Sequence, residues 1–408
     1  MFIKTVRDIG QLLCLLCFPL FGMGQLYDVG EPSPRPTRLL MDRGIQIETT
    51  AAIDDMYNFN FAAAEREFKW LSAKYPYHPI GYFLIGLSYW WRIVPDTGIE
   101  RYDDTIQSFM DKSIDLGNDL LKEDETNKEA AFFISAAYAF KGRLYAEREN
   151  WLKSAWSGKN ALKYLELSRG DENINPELLF GDGLYNFYSK WIRENYKSLR
   201  PILTFFRKGD KQLGIAQLKN VSLNAFYTRM EARYFLVQIY AMENRNAEAR
   251  QLATQMHVLY PNNSFFHRYA ARTNFVLGKM PEAQRIAHEL LANIASEKYG
   301  YGPNEGRYGA YILGYIDQNY NKDYKSAICY YEQCVDFSRR NNSLDSGYYL
   351  GALLAIGDMA RSEKDYLKAA QSYKLIIDSK QKQNISYKKA VEGIKSLKKE
   401  IRKNRSKG

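Results

Sequence analysis

The sequence predicts an all-α fold, a right-handed solenoid of about eight antiparallel helix pairs between residues 46 and 380. Three observations carry it. Apolar residues recur at three- and four-residue spacing almost throughout the 408-residue chain, the period of a half-buried helix. Alternating β-branched runs are scarce, so strands have little support. Ala249 and Ala283, Ala253 and Ala287, Met256 and Leu290, and Val237 and Ala271 repeat in one register, a fixed period that marks a repeat architecture.

The elements follow in order. Lys4 and Arg7 precede the apolar run "LLCLLCFPLFGMG", and Gly22 and Gly24 supply small residues before a cut at Gln25. Residues 1–24 therefore read as a secretory signal. The run is shorter than the roughly 20 residues of a spanning helix, and an uncleaved anchor is the rival reading. Residues 25–45 alternate Pro32, Pro34 and Pro36 and are expected to form an extended spacer.

Residues 46–380 then offer paired blocks. "NFNFAAAEREFKWLSAKYPYHP" gives Ala64, Phe68, Leu71 and Pro76, and "YFLIGLSYWW" gives Tyr82, Ile85, Gly86 and Tyr89. "FFISAAYAF", "YILGYIDQNYNKDYKSAICYYEQC" and "LAIGDMARSEKDYLKAAQSYKLII" follow the same small-large pattern. A small residue in a first helix admits the second helix, and large residues fill the remaining space. "RIVPDTGIERYDD" and "KYGYGPNEGRYG" are insertions between blocks. In the tail, residues 381–408, Ala390, Ile394, Leu397 and Ile401 form the apolar stripe of an amphipathic helix.

On these blocks the chain resembles the tetratricopeptide repeat (TPR) superfamily, over most of its length. A second likeness lies in "FGDGLYNFYSKW" and "LRPILTFFRKGDKQLGIAQL", which are similar to the inclusion-body-clearance (tetratricopeptide repeat protein 39) family at Gly181, Gly183, Asn186, Pro201, Gly209, Asp210 and Gly214. The chain departs from that family at "KWIRENYKSLRP" and in its apparent secretory signal. The likeness implies an adaptor, or a lipid- and aggregate-associated role without chemistry, and transfers no site.

Of the net charge of +10, the tail from Lys388 carries nine basic residues against Glu392 and Glu400. The body is left nearly neutral, which argues against a nucleic-acid groove. Cleavage of the signal would leave Cys329 and Cys334, five apart on one helix. Their axial separation, about 7.5 Å, is beyond disulfide reach, and both are expected to be small buried groups. Export without internal disulfides fits a bacterial periplasm or envelope.

Catalytic signals are weak. The four histidines, His78, His257, His267 and His288, show no ligand spacing, and "HELLA" has Ala292 where a zinc-protease motif needs histidine. Ser386 with Lys389 lacks companion motifs, and Asp54/Asp55 and Asp103/Asp104 read as caps or solvated charges. Neither metal nor cofactor is expected, and the chain reads as a non-enzyme. "FGDGLYNF" at Phe180 to Phe187 resembles a phosphate loop, but Asn175 and Pro176 suit the start of a helix that would enclose both glycines.

The expected function is a scaffold that binds a protein or peptide in a concave groove lined by first helices. Counting in register places Tyr234, Gln238, Arg268 and Arg272 there. Arg268 and Arg272 share a helix face and could grip a carboxylate; the alternative is two solvated arginines. The second functional reading is a lipid- or envelope-associated factor holding an apolar ligand, suggested by the family likeness and "IGLSYWW". The tail is expected either to cap the last repeat or to make peripheral contact with an anionic membrane.

Overall fold

The computed structural model describes residues 37–171, 175–197, 200 and 207–405. The expected signal, and the proline-rich part of the spacer, lie outside them. The described residues hold seventeen α-helices and no strand, as the sequence predicts. The chain divides into two compact units between Arg245 and Asn246.

The first unit contains α1 (Arg43–Tyr57), α2 (Phe61–Lys74), α3 (Pro79–Ile93), α4 (Asp103–Glu123), α5 (Lys128–Glu147), α6 (Trp151–Leu167), α7 (Leu179–Asn195), α8 (Lys211–Asn224) and α9 (Arg229–Met242). The first eight form four pairs, each helix packed on its partner, and α1 also touches α3 as α3 touches α5. First helices thus stack on first helices, the arrangement of a helical repeat.

Polar side chains start these helices. Asp42, Asn127, Asn150 and Asp210 each accept a backbone N–H from the first turn, satisfying donors with no partner inside the helix. The turn inside a pair uses a left-handed residue, Phe59 after α1 and Glu149 after α5. Helix α3 is buried almost all round, including Ile85, Leu87, Trp90 and Trp91, so "IGLSYWW" is core.

The glycines of "FGDGLYNF" lie inside α7. Asn175 caps a short turn at Pro176–Leu178 that leads into it, and Gly183 lies past the first turn of the helix, where N–H groups bond within it. A Cβ on Gly183 would come 2.8 Å from Leu218 Cγ, and one on Gly214 would come 2.6 Å from the Phe187 backbone nitrogen. These glycines let α7 and α8 touch backbone to backbone.

Leu39, Leu40 and Ile45 are buried where the sequence suggests a spacer. Leu39 and Leu40 are fully buried, and their N–H groups donate to Glu129 Oε1 at 2.6 and 2.9 Å. The helix begins at Arg43. Two adjacent leucines in a proline-rich context gave no periodic signal, so their burial was not legible locally.

The second unit contains α10 (Asn246–Leu259), α11 (Ser264–Val276), α12 (Met280–Ala295), α13 (Pro303–Ile316), α14 (Tyr324–Arg340), α15 (Gly347–Ser362), α16 (Tyr366–Asp378) and α17 (Ile385–Arg405). Pairs α11/α12, α13/α14 and α15/α16 pack consecutively, and first helices again stack, α11 on α13 and α13 on α15. The residues in 34-residue register are core: Ala249, Ala253, Met256, Ala283, Ala287 and Leu290 are all buried. The small-large pattern is a physical contact, since a Cβ on Gly314 would meet the Tyr331 ring at 2.9 Å and one on Gly357 the Tyr373 ring at 2.8 Å.

Helix α17 packs on α15 and α16. Ala390 and Leu397 are buried, and Ile394 and Ile401 join the same cluster. Arg361 pairs with Glu400 across the contact. The apolar stripe of the tail therefore closes the last pair.

Candidate functional site

First-helix side chains supply the candidate site in each unit. In the first unit Tyr234, on α9, is buried, with its ring edge-on to Trp91 at 5.7 Å and Phe235 at 5.0 Å. Arg143, on α5, donates to its hydroxyl and lies over Trp90 at 4.6 Å, a cation–π contact. One turn earlier on α9, Glu231 accepts from Trp91 Nε1 at 2.7 Å and Tyr57 Oη at 3.3 Å. Burial raises the Glu231 carboxyl above its ordinary range, against the pull of its hydrogen bond from Trp91 and of Arg143. Gln238 is half-buried and donates to the Tyr234 carbonyl at 3.2 Å, a bond within its own helix.

These residues draw α1, α3, α5 and α9 together. Close by, Leu40, Phe83, Phe133, Phe180 and Tyr227 line an enclosed apolar cavity of about 30 Å³. A small-molecule pocket needs roughly 300 Å³ or more, so this cavity is too small for an acyl chain. A buried carboxylate also organises the entry to α9: Glu177 accepts the N–H groups of Tyr227 and Thr228, both at 2.9 Å.

In the second unit Arg268 and Arg272 lie on α11. Both are more than nine-tenths buried, with 7% and 8% exposure, so neither is a solvated arginine. Arg268 Nη1 bonds Glu305 Oε1 on α13 at 2.6 Å, and its guanidinium lies over Phe265 and Tyr308. Arg272 lies over Tyr269 and interacts with Tyr348 and Tyr308. The carboxylate grip expected of Arg268 is thus made to the chain's own Glu305.

A third arginine joins them. Arg307, 5% exposed, lies over the Tyr308 ring at 5.3 Å and donates Nη2 to Asn304 Oδ1 at 3.3 Å. Its Nε and Nη1 have no hydrogen-bond partner. Beside these cations Tyr269, Tyr308 and Tyr348 are partly buried, with Tyr308 and Tyr348 4.5 Å apart and the partly buried Tyr311 4.8 Å from Tyr348. Burial raises Glu305, and Arg268 and Arg307 oppose the rise.

Tyr234 and Gln238 belong to the first unit and Arg268 and Arg272 to the second. Repeat counting names residues on α9 and α11 and does not reach Arg143, Glu231, Glu305 and Arg307, because it follows set positions along one helix and these residues meet across neighbouring helices. The other sequence candidates fall on structural roles. Asp103 forms a two-point ion pair with Arg148, which also binds Thr97 O and Ile99 O and so closes the "RIVPDTGIERYDD" insertion. His288 is exposed beside Tyr330. Cys334 is buried, whereas Cys329 is exposed, contrary to the expectation that both are buried; both are free.

No family model matches the chain, and no curated protein matches it. The finer likeness to the inclusion-body-clearance family therefore has no counterpart among family models. Solved structures do match. The C-terminal part of a TPR repeat-containing protein from Cytophaga hutchinsonii is 16% identical, with 85% of this chain and 98% of that chain covered and a TM-score of 0.25. The TPR domain of P58(IPK) is 11% identical, covering 88% and 99%, with a TM-score of 0.23. Yeast Tom70 is 12% identical, covering 88% and 97%, with a TM-score of 0.21. The likeness to TPR proteins read from the sequence recurs here, while the description of the helix pairs rests on this chain's own packing.

Proposed function

We propose that the protein is a non-enzymatic interaction scaffold, exported to a bacterial periplasm or envelope, whose second unit binds a partner segment carrying an anionic group on the α11–α13–α15 face. The observation that carries this is Arg307, whose Nε and Nη1 are buried without acceptors beside the partly buried ring of Tyr308. A buried unpaired donor costs roughly 1–3 kcal/mol, which a carboxylate from a partner would recover while the tyrosines supply stacking area. The scaffold reading is preferred to the apolar-ligand reading because the enclosed apolar cavity of the first unit is about 30 Å³. Membrane contact by the tail, if made, would use its basic side chains, since the apolar stripe is packed on α15 and α16.

The test is affinity capture from an envelope fraction with wild type and a Tyr308→Ala variant shown by circular dichroism to melt within a few degrees of it. A specific protein retained by wild type and lost by the variant supports the reading. Capture that the variant leaves undiminished refutes it.

A further inference from the structure

The second unit also brings together three side chains that a metal would use. His257 on α10, His267 on α11 and Glu289 on α12 each offer one ligand atom, and these atoms lie within 4.8 Å of one another. No local motif contains them, because ligand spacing is sought along one helix and these residues come from three.

The surroundings favour ligation. His267 is 2% exposed, and its Nε2 has no hydrogen-bond partner although Glu289 Oε2 stands 3.3 Å away. His257 Nδ1 is likewise buried without a partner. On its other side, His267 Nδ1 lies 2.9 Å from Tyr301 Oη. A Nδ1–H donated to that oxygen leaves the Nε2 lone pair facing Glu289, the outer-shell arrangement typical of metal-bound histidine. Arg285 holds Glu289 Oε1, which leaves Oε2 as the oxygen on the histidine side.

We propose that His257, His267 and Glu289 form a binding site for a divalent transition metal of the zinc class, with water completing the coordination. Two imidazoles and a carboxylate suit zinc and its neighbours rather than magnesium or calcium. Ligands at ~2.0–2.1 Å in tetrahedral geometry stand about 3.3 Å apart, so the three atoms must draw in. The imidazoles are stacked at 4.1 Å with a 5° tilt, so their lone pairs lie in separate, nearly parallel planes and binding requires one ring to turn. Half-buried His257 and Glu289 are the partners with room to move.

The experiment uses untagged full-length protein stripped with chelator, then titrated with Co²⁺ while the visible d–d absorption is followed, and with Zn²⁺ by calorimetry. The proposal expects one equivalent of either ion and a tetrahedral or five-coordinate cobalt band. His257→Gln and Glu289→Gln should each weaken zinc at least tenfold while retaining the wild-type circular dichroism spectrum. No cobalt band in wild type, or affinity within threefold of wild type in both variants, would overturn it. If His267→Ala fails to fold, these two partly exposed positions still decide the matter.

Discussion

In the first unit Glu231, Trp91, Tyr57, Arg143 and Tyr234 satisfy one another, whereas in the second Arg307 keeps two buried donors without acceptors. Glu231 collects Trp91 and Tyr57, Arg143 takes Tyr234, and Leu39 and Leu40 are buried with their N–H groups on Glu129. In the second unit Glu305 accepts from Arg268 and lies within the field of Arg307, with partly buried tyrosines beside the arginines. The same repeat scaffold thus yields a satisfied polar cluster in one place and an arginine with unpaired buried donors in another.

The largest expected effect breaks the closed network. Glu231→Leu strands the buried Trp91 and Tyr57 donors, a loss of about 1–3 kcal/mol for each. Hydrogen exchange should show amides in α1, α3, α5 and α9 losing protection while α13 to α15 keep theirs. Equal loss in both units would mean that the network is not local to the first.

Next in size is the buried segment before α1. Leu39→Ala should cost about 2–4 kcal/mol, the range for a fully buried leucine, read as a lower urea midpoint. A cost under 0.5 kcal/mol would return residues 39 and 40 to the status of a spacer.

Much of this architecture was legible in the sequence. The period in Ala249, Ala253, Ala283 and Ala287 reports burial directly, because each alanine sits where another helix comes close. The Gly314–Tyr331 and Gly357–Tyr373 contacts were legible for the same reason. The polar clusters were not. Glu305 meets Arg268 from the next first helix, and Glu231 meets Trp91 from α3, so no local motif contains both members. Tyr234 was placed on the right helix yet proved buried, since a repeat template numbers positions without saying what a distant helix lays over them.

A smaller effect concerns pH. Burial raises the Glu231 carboxyl, so the folded state holds its proton to higher pH than the unfolded chain does. That contribution is fully present below the ordinary carboxylate range near 4.3 and is lost as pH rises through the folded value. Wild type should therefore lose stability relative to Glu231→Gln on going from pH 4 to pH 8. Urea denaturation across that range checks the sign, and a gain by wild type would show that Arg143 outweighs burial.

Cysteine reactivity gives the finest contrast within the second unit. Cys334 is buried and its thiol is pushed up to about 12, while Cys329 is exposed. A thiol held that high carries about a thousandfold less thiolate than an ordinary one. Peptide mapping after brief iodoacetamide treatment of native protein at pH 8 should find Cys329 alkylated and Cys334 intact, and comparable labelling would contradict the packing of α14.

On the proposed function, partners engage the arginines and tyrosines of the second unit and not the Glu231 cluster of the first. A photo-crosslinking amino acid placed at Tyr308 or at Tyr234, irradiated in an envelope fraction, with the adducts identified, separates the two. A discrete protein adduct is expected at position 308 and none at 234. Adducts at 234 with none at 308 would contradict it.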